Sequence, residues 1–259
     1  MFRFWPVVLI VVAACWPAPV TAQTRLGLGA GAVRWTPAEW TQTAEWAFRQ
    51  EQATASAVFT RNADIGFDLS ARRLWRLGGR LAIGTGVALT RVQGRSAVAV
   101  NAEWPHPILF DRPASASLGA PRSAHRDLGL HAEAVAGLRL GRHAVLAFAG
   151  PSWLRTRQDV VSGVEVQESL LLTPTLPYSI QLAGVTLQAQ RASDWGYHAG
   201  AEFDARLTRR LGVAVSGRYV HARLRLPNPL QDSADGGGGA TGRQTVGGVL
   251  VTAGIRVGL

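Results

Sequence analysis

The chain has 259 residues, and only 17% of them are charged, against roughly 25% in an average soluble domain. Hydrophobic residues make up 47% of the chain, which excludes an intrinsically disordered protein, and a single cysteine excludes a disulfide scaffold. All 27 basic residues are arginine and the formal net charge is +10, but no basic run with interleaved aromatic residues indicates nucleic-acid binding.

Residues 1–22 have the three parts of a secretory signal peptide. Arg3 supplies the charge, Pro6 to Ala14 form the apolar run, and Val20-Thr21-Ala22 is a small-residue cleavage site. The run is shorter than the ~18 residues of a membrane-spanning helix. Because Cys15 ends a lipobox-like stretch, lipidation of this cysteine is an alternative. We expect cleavage after Ala22, export, and one mature domain over residues 23–259.

Beyond residue 22, eight segments alternate apolar with small or polar residues, which is the period of a β-strand. They are Thr24–Arg34, Asp64–Trp75, Arg80–Val92, Arg126–Leu140, Ala144–Arg157, Trp195–Leu207, Leu211–Leu224 and Gln244–Leu259. Soluble strands average ~5–6 residues and tilted membrane-spanning strands need ~9–11, so most of these segments are long enough to cross a membrane. In Ala144–Arg157 the phase is ambiguous, and Gly150-Pro151 indicates a β-bulge.

The connections between these segments alternate in length. Arg76–Gly79, Gly141–His143 and Thr208–Arg210 are predicted tight turns. Trp35–Ala63, Gln93–His125, Gln158–Asp194 and Arg225–Arg243 are predicted long loops. Long loops at one end and short turns at the other are typical of an outer-membrane barrel, whose short turns lie in the periplasm. The sequence therefore predicts an all-β protein, an eight-stranded antiparallel up-and-down transmembrane β-barrel.

Three features are predicted inside the long loops. Thr36-Pro37-Ala38-Glu39 has the residues of a helix capping box, which predicts a short amphipathic helix over Trp40 and Trp46. The apolar stretch Leu170–Tyr178 is expected to pack over the barrel mouth or to form a contact surface. Gly236–Gly239 is expected to be a flexible loop and not a phosphate cradle.

The two faces of the predicted strands differ in chemistry. One face carries leucine, valine, isoleucine and phenylalanine, with aromatic residues near strand ends, as on a lipid-facing surface. The other face consists of small residues interrupted by charges of both signs, which fits the narrow interior of an eight-stranded barrel. We expect this face to form a closed charge network in the lumen, made of Asp68, Arg72, Arg80, His131, Glu133, Arg139, His198, Glu202, Asp204, Arg206, Arg218 and Arg256.

Residues that indicate catalysis are few. His131 with Glu133 or Asp127, and His198 with Glu202, are the candidate acid–histidine pairs. Neither histidine has a serine beside it in a hydrolase-like motif, and the mature chain has no cysteine and no metal-ligand spacing. We therefore expect no catalytic, cofactor-binding or metal site and no cofactor.

Arginines cluster at the predicted strand ends on the loop side. Arg91, Arg155, Arg157, Arg223 and Arg225 are the candidate contacts for anionic lipid, and Arg34, Arg95 and Arg126 lie at similar positions. Arginine binds phosphate bidentately, so such a rim could hold lipopolysaccharide. The alternative is that these residues only keep the strand ends soluble.

The whole of 23–259 resembles the small outer-membrane β-barrels of the OmpA/OmpX type, most clearly in the two long segments and tight turn of Trp195–Leu224. The last segment resembles the family's C-terminal assembly signal, although it ends in Leu259 where members usually end in Phe or Trp. The resemblance implies a bacterial outer-membrane location and biogenesis through periplasmic chaperones and the barrel-assembly machinery. It implies no single activity.

We expect a monomeric, non-enzymatic barrel with a plugged lumen and a structural or surface-interaction role, in contact with outer-membrane lipids. Two alternatives remain open at this stage. One is an exported soluble β-barrel that binds a small apolar ligand, and the other is a lipid-modifying outer-membrane enzyme. Fractionation separates the first alternative from the membrane barrel, and a lipid A assay on variants of His131 and His198 tests the second.

Overall fold

The computed structural model describes residues 22–48, 51–104, 114–169, 179–229 and 241–259. Ten β-strands make up almost all of this part of the chain: β1 (Ala22–Trp35), β2 (Glu39–Phe48), β3 (Glu51–Arg61), β4 (Asp64–Gly78), β5 (Leu81–Trp104), β6 (Ala114–Leu140), β7 (His143–Ser169), β8 (Ser179–Arg206), β9 (Leu211–Pro227) and β10 (Thr241–Gly258). No helix in these ranges is long and apolar enough to cross a membrane. Residues 1–21 of the predicted signal peptide, Leu170–Tyr178 and Gly236–Gly239 lie outside the described residues, and Ala22 is the first residue of β1.

Eight of the strands close into a ring. Its order is β1-β4-β5-β6-β7-β8-β9-β10, and β10 pairs with β1 again. Every pair is antiparallel, as tight turns between consecutive strands require. The predicted eight-stranded antiparallel barrel is confirmed. The remaining strands, β2 and β3, form a hairpin that pairs with the distal part of β5.

One end of the barrel is closed by three tight turns. Gly79 and Gly141 sit in two of them with φ of 53° and 64°, a left-handed backbone that glycine adopts without steric cost. The third turn, at residues 207–210, holds the Leu207 and Thr208 amides on the Leu211 carbonyl oxygen at 2.9 Å. The three predicted turns are confirmed.

The other end differs from the prediction, because most of the predicted long loops are strand. β5, β6, β7 and β8 run 24 to 28 residues each and carry their pairing far beyond the predicted strand ends. The predicted helix over Trp40 and Trp46 is wrong, since both residues lie in β2. Ten consecutive pairs with β3, from Glu39↔Thr60 to Phe48↔Glu51, satisfy the backbone there and override the local capping signal.

The ambiguous segment of β7 is resolved by burial. Leu146 and Phe148 point inward, whereas Val145 is exposed. The predicted bulge at Gly150-Pro151 is wrong, because the β7–β8 register is continuous through both residues. Pairing with β6 is interrupted there without a register change, as expected where proline lacks an amide hydrogen. The irregularities of β7 lie further along, at Val161/Gly163 and Glu165/Val166.

Side-chain polarity divides the barrel along its axis. We define the lower barrel as residues 22–34, 65–91, 128–153, 195–219 and 247–259, and the upper extension as 35–48, 51–64, 92–104, 114–127, 154–169, 179–194, 220–227 and 241–246. Every large apolar side chain that is exposed in the described residues belongs to the lower barrel. The upper extension has instead an interior apolar core around Phe59, Val100, Trp104 and Val161.

Candidate functional site

The lumen of the lower barrel holds a connected series of ion pairs. The Arg72 guanidinium donates through Nε to Glu133 Oε2 and through Nη1 to Glu202 Oε2, both at 2.6 Å. Arg218 Nη2 donates to Glu133 Oε1 at 2.8 Å and to Asp68 Oδ2 at 3.0 Å. The strands that carry these residues lie on different sides of the ring, so the network spans the lumen.

Two further arginines neutralise the remaining buried carboxylate charge of the lumen. Arg256 binds Glu202 bidentately, with Nε to Oε1 at 2.9 Å and Nη2 to Oε2 at 2.6 Å. Arg25 donates to Asp204 Oδ2 at 2.7 Å on the turn side of the network. Four arginines therefore face four carboxylates, and all eight side chains are nearly inaccessible to solvent. Burying a paired charge is tolerable in this way, whereas an unpaired one would cost several kcal/mol.

Small residues and one aromatic ring make room for this network. The Arg72 and Arg218 guanidiniums lie over the Phe148 ring at 4.5 and 4.8 Å. A Cβ at Gly27 would lie 2.2 Å from Arg256 Nη1, and one at Gly86 would lie 2.7 Å from Arg72 Cγ. The glycines that alternate along these strands therefore supply the volume that the long charged side chains occupy.

The structure brings together most, but not all, of the residues predicted for the network. Asp68, Arg72, Glu133, Glu202, Asp204, Arg218 and Arg256 are in it. Arg80 is exposed in the β4–β5 turn, and Arg139 donates to the Gly141 carbonyl oxygen at 3.4 Å beside the second turn. Arg206 lies at the end of β8 and has no ion pair within the described residues. Arg25 also belongs to the network and is not among the predicted residues, although it shares the inward phase of Gly27.

The two lumen histidines belong to a separate cluster of hydroxyl groups. His131 Nδ1 and His198 Nδ1 lie 2.8 and 2.9 Å from the same Ser152 Oγ, and Thr90 Oγ1 lies 2.8 Å from His131 Nε2. One hydroxyl hydrogen can be donated to only one imidazole, so the other imidazole donates to Ser152. In the described residues neither ring bonds a carboxylate, and the candidate acid–histidine pairs are not formed.

A second polar layer lies where the lower barrel meets the upper extension. Asp64 Oδ2 accepts from Trp35 Nε1 and lies 2.7 Å from His125 Nε2. Arg61 Nη2 donates to Gln158 Oε1 at 2.6 Å, with its guanidinium 4.7 Å from the Trp35 ring centre. An apolar cavity of about 40 Å³, lined by residues such as Val92 and Leu154, separates this layer from the charge network.

Burial shifts the pKa values of two charged residues in this second layer. It raises the pKa of the Asp127 carboxyl, although the Arg61 guanidinium and the hydroxyl of Thr156, 2.5 Å away, act in the opposite direction. Burial also lowers the pKa of Arg61. Both shifts disfavour the charged forms, because little water reaches the layer.

Ser96, His125 and Asp64 have the residue types of a hydrolase triad, and His125 lies between the other two side chains. The Ser96 hydroxyl is fully buried and lies 3.5 Å from His125 Nδ1, longer than the ~2.6–3.2 Å of a direct hydrogen bond between a nucleophile and its base. Within the described ranges, no group of three or more histidine, cysteine or acidic side chains could hold a metal ion.

The arginines predicted for the rim are exposed at the junction of the lower barrel and the upper extension. They are Arg34, Arg91, Arg95, Arg126, Arg155, Arg157, Arg223 and Arg225. Arg191 of β8 extends this belt and was missed, because its segment was read as loop. In register, Arg126 faces Arg157 and Arg157 faces Arg191, so like charges meet across three adjacent strands.

Comparison with known proteins gives distant structural likeness only. No family model matches the chain, and no curated protein matches it. The chain is similar to the outer membrane protein OprG from Pseudomonas aeruginosa at 10% identity and a TM-score of 0.44, covering 92% of this chain and 96% of that one. It is also similar to the outer membrane protease OmpT from Escherichia coli, at 10% identity and a TM-score of 0.43 over 93% and 98% of the chains. Neisserial surface protein A matches at 14% identity and a TM-score of 0.39 over 91% and 97%.

Proposed function

We propose that this protein is a closed, non-enzymatic outer-membrane barrel that anchors a rigid polar extension at the bacterial cell surface. The observation that carries the proposal is the band of exposed apolar side chains around the lower barrel. Leu28, Ile65 and Val215 are 60%, 61% and 54% exposed, whereas Asp68, Arg72 and Arg218 on two of the same strands point inward.

The band supports a lipid environment over an aqueous one. A soluble monomer rarely exposes a contiguous apolar patch larger than a few hundred Å². Here the exposed apolar residues occur on all eight strands of the ring, so the apolar surface encircles the molecule. On β5 the outward run Leu81 to Arg91 covers 11 residues, the length that a tilted strand needs to cross a bilayer. The exported soluble barrel is the weaker alternative for this reason.

Cell fractionation tests this location most directly. The full chain, expressed with its own leader in a Gram-negative host, is expected in the outer-membrane fraction and in solution only with detergent. Unboiled protein is expected to migrate differently from boiled protein in SDS, because the closed ring resists the detergent. Recovery of a freely soluble monomer from the periplasm would overturn the proposal.

The closed lumen supports a structural role over transport. The charge network, the apolar cavity of about 40 Å³ and the second polar layer follow one another along the barrel axis, and an apolar core fills the extension above them. We expect the purified protein in planar bilayers to give no large, stable single-channel conductance. Such conductance in the unmodified protein would contradict the closed lumen.

The arginine belt supports contact with outer-leaflet lipid. Arginine keeps its charge and matches phosphate geometry, and each residue near an anionic surface contributes on the order of 1 kcal/mol, weakened by salt. Replacing Arg91, Arg155, Arg157, Arg223 and Arg225 together with glutamine is expected to remove most of the rise in thermal midpoint that lipopolysaccharide gives the parent. An equal rise in both proteins would leave these arginines as solubilising residues.

The non-enzymatic part of the proposal has its own test. Purified protein is incubated with lipopolysaccharide and with phospholipid, and released fatty acid is measured for the parent and for Ser96→Ala, His131→Ala and His198→Ala. We expect no release above background in any sample. Release by the parent that is lost in one of these variants would support the lipid-modifying alternative.

A further inference from the structure

The barrel wall has a break where β3 ends and β4 begins. The last described pair between β4 and β5 is Ile65↔Gln93, and the pairing of β3 with β5 starts at Arg61↔Ser96. Between them, Gly94 and Arg95 have no cross-strand partner on that edge, although both pair with β6 on the other. A Cβ at Gly94 would lie 1.6 Å from Asp64 Oδ1. Only glycine therefore leaves room for the Asp64 carboxylate on the inner side of the break.

A cavity of about 590 Å³ lies at this break. Its outward walls are Gln93, Arg95, Arg126 and Arg157, and the inward-facing His125 contributes to its floor. The His125 side chain is itself inaccessible to solvent, so the cavity is a recess in the outer surface of the wall. Its volume is within the ~300–1,000 Å³ range of small-molecule sites.

The charge of this cavity is strongly positive. Arg126 and Arg157 are direct cross-strand neighbours and both are exposed, a like-charge pairing that is unfavourable unless an anion lies between the two side chains. The one acidic residue in the lining, Asp159, accepts from the Ala124 amide at 3.1 Å. Within the described residues, Arg95, Arg126 and Arg157 make no salt bridge with any carboxylate.

The position of the cavity indicates what kind of anion it meets. Ile65 forms its lower edge and is 61% exposed, and Phe67 continues the apolar surface below. The three arginines stand above this edge, at the upper limit of the apolar band. A molecule with a phosphate group above and an acyl chain below would match both surfaces. Its phosphate would lie against the arginines and its acyl chain against the apolar band.

We propose that this cavity, which we call the wall pocket, is a specific binding site for a phosphate group held by Arg95, Arg126 and Arg157. Bidentate guanidinium contacts to the phosphate oxygens would replace the repulsion between Arg126 and Arg157 with two favourable pairs. The same chemistry is available from a phosphorylated lipid headgroup and from free phosphate. The lipid source rests on the proposed outer-membrane location, whereas the phosphate chemistry does not.

The test compares two triple variants of equal charge. The wall-pocket triple is R95Q/R126Q/R157Q, and the matched control is R80Q/R142Q/R209Q, which removes three exposed arginines from the tight turns at the other end of the barrel. All six side chains are exposed, so both variants are expected to fold, which the SDS mobility shift confirms. Binding to the full chain in neutral detergent micelles is measured by titration calorimetry with inorganic phosphate, with lipopolysaccharide, and with dephosphorylated lipopolysaccharide.

We expect the wall-pocket triple to raise the dissociation constant of phosphate-bearing probes by roughly tenfold or more relative to the control triple. Each charge-assisted hydrogen bond that is lost contributes a large part of this change. Dephosphorylated lipopolysaccharide is expected to distinguish the two triples little. Binding of lipopolysaccharide without binding of inorganic phosphate would identify the lipid as the source, and binding of both would show that phosphate alone suffices.

Equal weakening in both triples, or none in either, would overturn the wall pocket and leave the proposed membrane location untouched. A protein that fractionates as soluble would overturn the location, while the inorganic phosphate titration would still decide the wall pocket.

Discussion

The lower barrel and the upper extension are built from the same strands with opposite polarity. On β5, Leu81, Ile83 and Leu89 point outward in the lower barrel while Gly84 and Gly86 point inward. Past Arg91 the faces exchange: Arg95 and Glu103 point outward and Val98, Val100 and Trp104 point inward. The alternation itself never changes phase.

The exchange teaches that the surrounding solvent, and not the backbone, sets which face is apolar. In water the hydrophobic effect drives apolar side chains inward, as in the upper extension. In lipid the outer face must be apolar and charges remain where they can pair inside, which is the arrangement expected of the lower barrel in the proposed membrane location. β9 makes the same exchange at Tyr219 and Val220, so the boundary is a property of the whole ring and not of one strand.

The largest expected effect tests the lumen of the lower barrel. Arg218→Ala leaves Asp68 without its only ion-pair partner in the described residues and removes one of two from Glu133, and unpairing buried charges costs about 3–5 kcal/mol. The measurement is urea unfolding in detergent micelles, followed by tryptophan fluorescence. Arg206→Ala is the matched control and is expected to change the free energy of unfolding by at most about 0.5 kcal/mol, as an unpaired position does. Equal losses in the two variants would show that the network does not stabilise the barrel.

A comparable but local effect is expected in the upper extension. Phe59 is fully buried and stacks on Trp40 with ring centres 4.0 Å apart. Phe59→Ala is expected to cost the extension about 3–5 kcal/mol, the usual range for a buried phenylalanine. Limited proteolysis should then cut the extension faster while the SDS mobility shift of the barrel persists. Loss of both together would show that the two regions fold as a single cooperative unit.

A smaller effect is expected when an arginine is placed on the outer face of each region in turn. Leu69, 52% exposed in the middle of β4, faces outward in the lower barrel, and Ala99 faces outward in the upper extension. Leu69→Arg is expected to cost about 2–4 kcal/mol, the penalty for arginine near the bilayer midplane. Ala99→Arg faces water and is expected to change stability by at most about 0.5 kcal/mol. The measurement is folding into phospholipid vesicles. Similar tolerance of both substitutions would argue against a lipid-facing band.

The smallest effect concerns the layer between the two regions. Because burial raises the pKa of Asp127 above its unfolded value, its contribution to stability is fully present at low pH and is lost as pH rises through the folded pKa. Asp127→Asn removes this titration, so the variant is expected to gain stability relative to the parent as pH rises above about 4, the pKa of an unfolded aspartate. Thermal midpoints measured below and above this pH provide the measurement. A difference between the two proteins that does not vary with pH would contradict the shift.

The sequence was sufficient for the lower barrel because its two faces differ strongly in chemistry. Leucine and isoleucine alternate with glycine and charged residues along β4 and β5, so both the strands and their orientation could be predicted. Asp68, Glu133 and Arg218 were placed on the inner face from that alternation alone. Arg25 could have been found in the same way, because it continues the inward phase of Gly27.

The upper extension was mistaken for loops because its alternation is weak. Inward alanine alternates with outward serine and threonine along β3 and the distal part of β6, and these small residues differ too little in polarity to mark a strand. The capping-box pattern at Thr36–Glu39 is a local signal, whereas the pairing of β2 with β3 depends on residues up to 21 positions away. The histidine–serine cluster of the lumen could not be predicted because it depends on the register between strands. His131, Ser152 and His198 lie on three different strands, and only cross-strand register brings their side chains together.

The long ladder between β7 and β8, which contains two register shifts, has a mechanical consequence. It runs from His143↔Ala205 to Ser169↔Ser179, and a ladder of this length has a contour of roughly 85–90 Å at the usual rise per residue. A bilayer's hydrocarbon core is only about 30 Å thick. In the proposed membrane location more than half of this hairpin therefore stands outside the bilayer, and the register shifts at Val161/Gly163 and Glu165/Val166 are the places where it bends most easily. A force applied to this hairpin at Ser169 and Ser179 is transmitted along the hydrogen-bonded strands into the barrel wall.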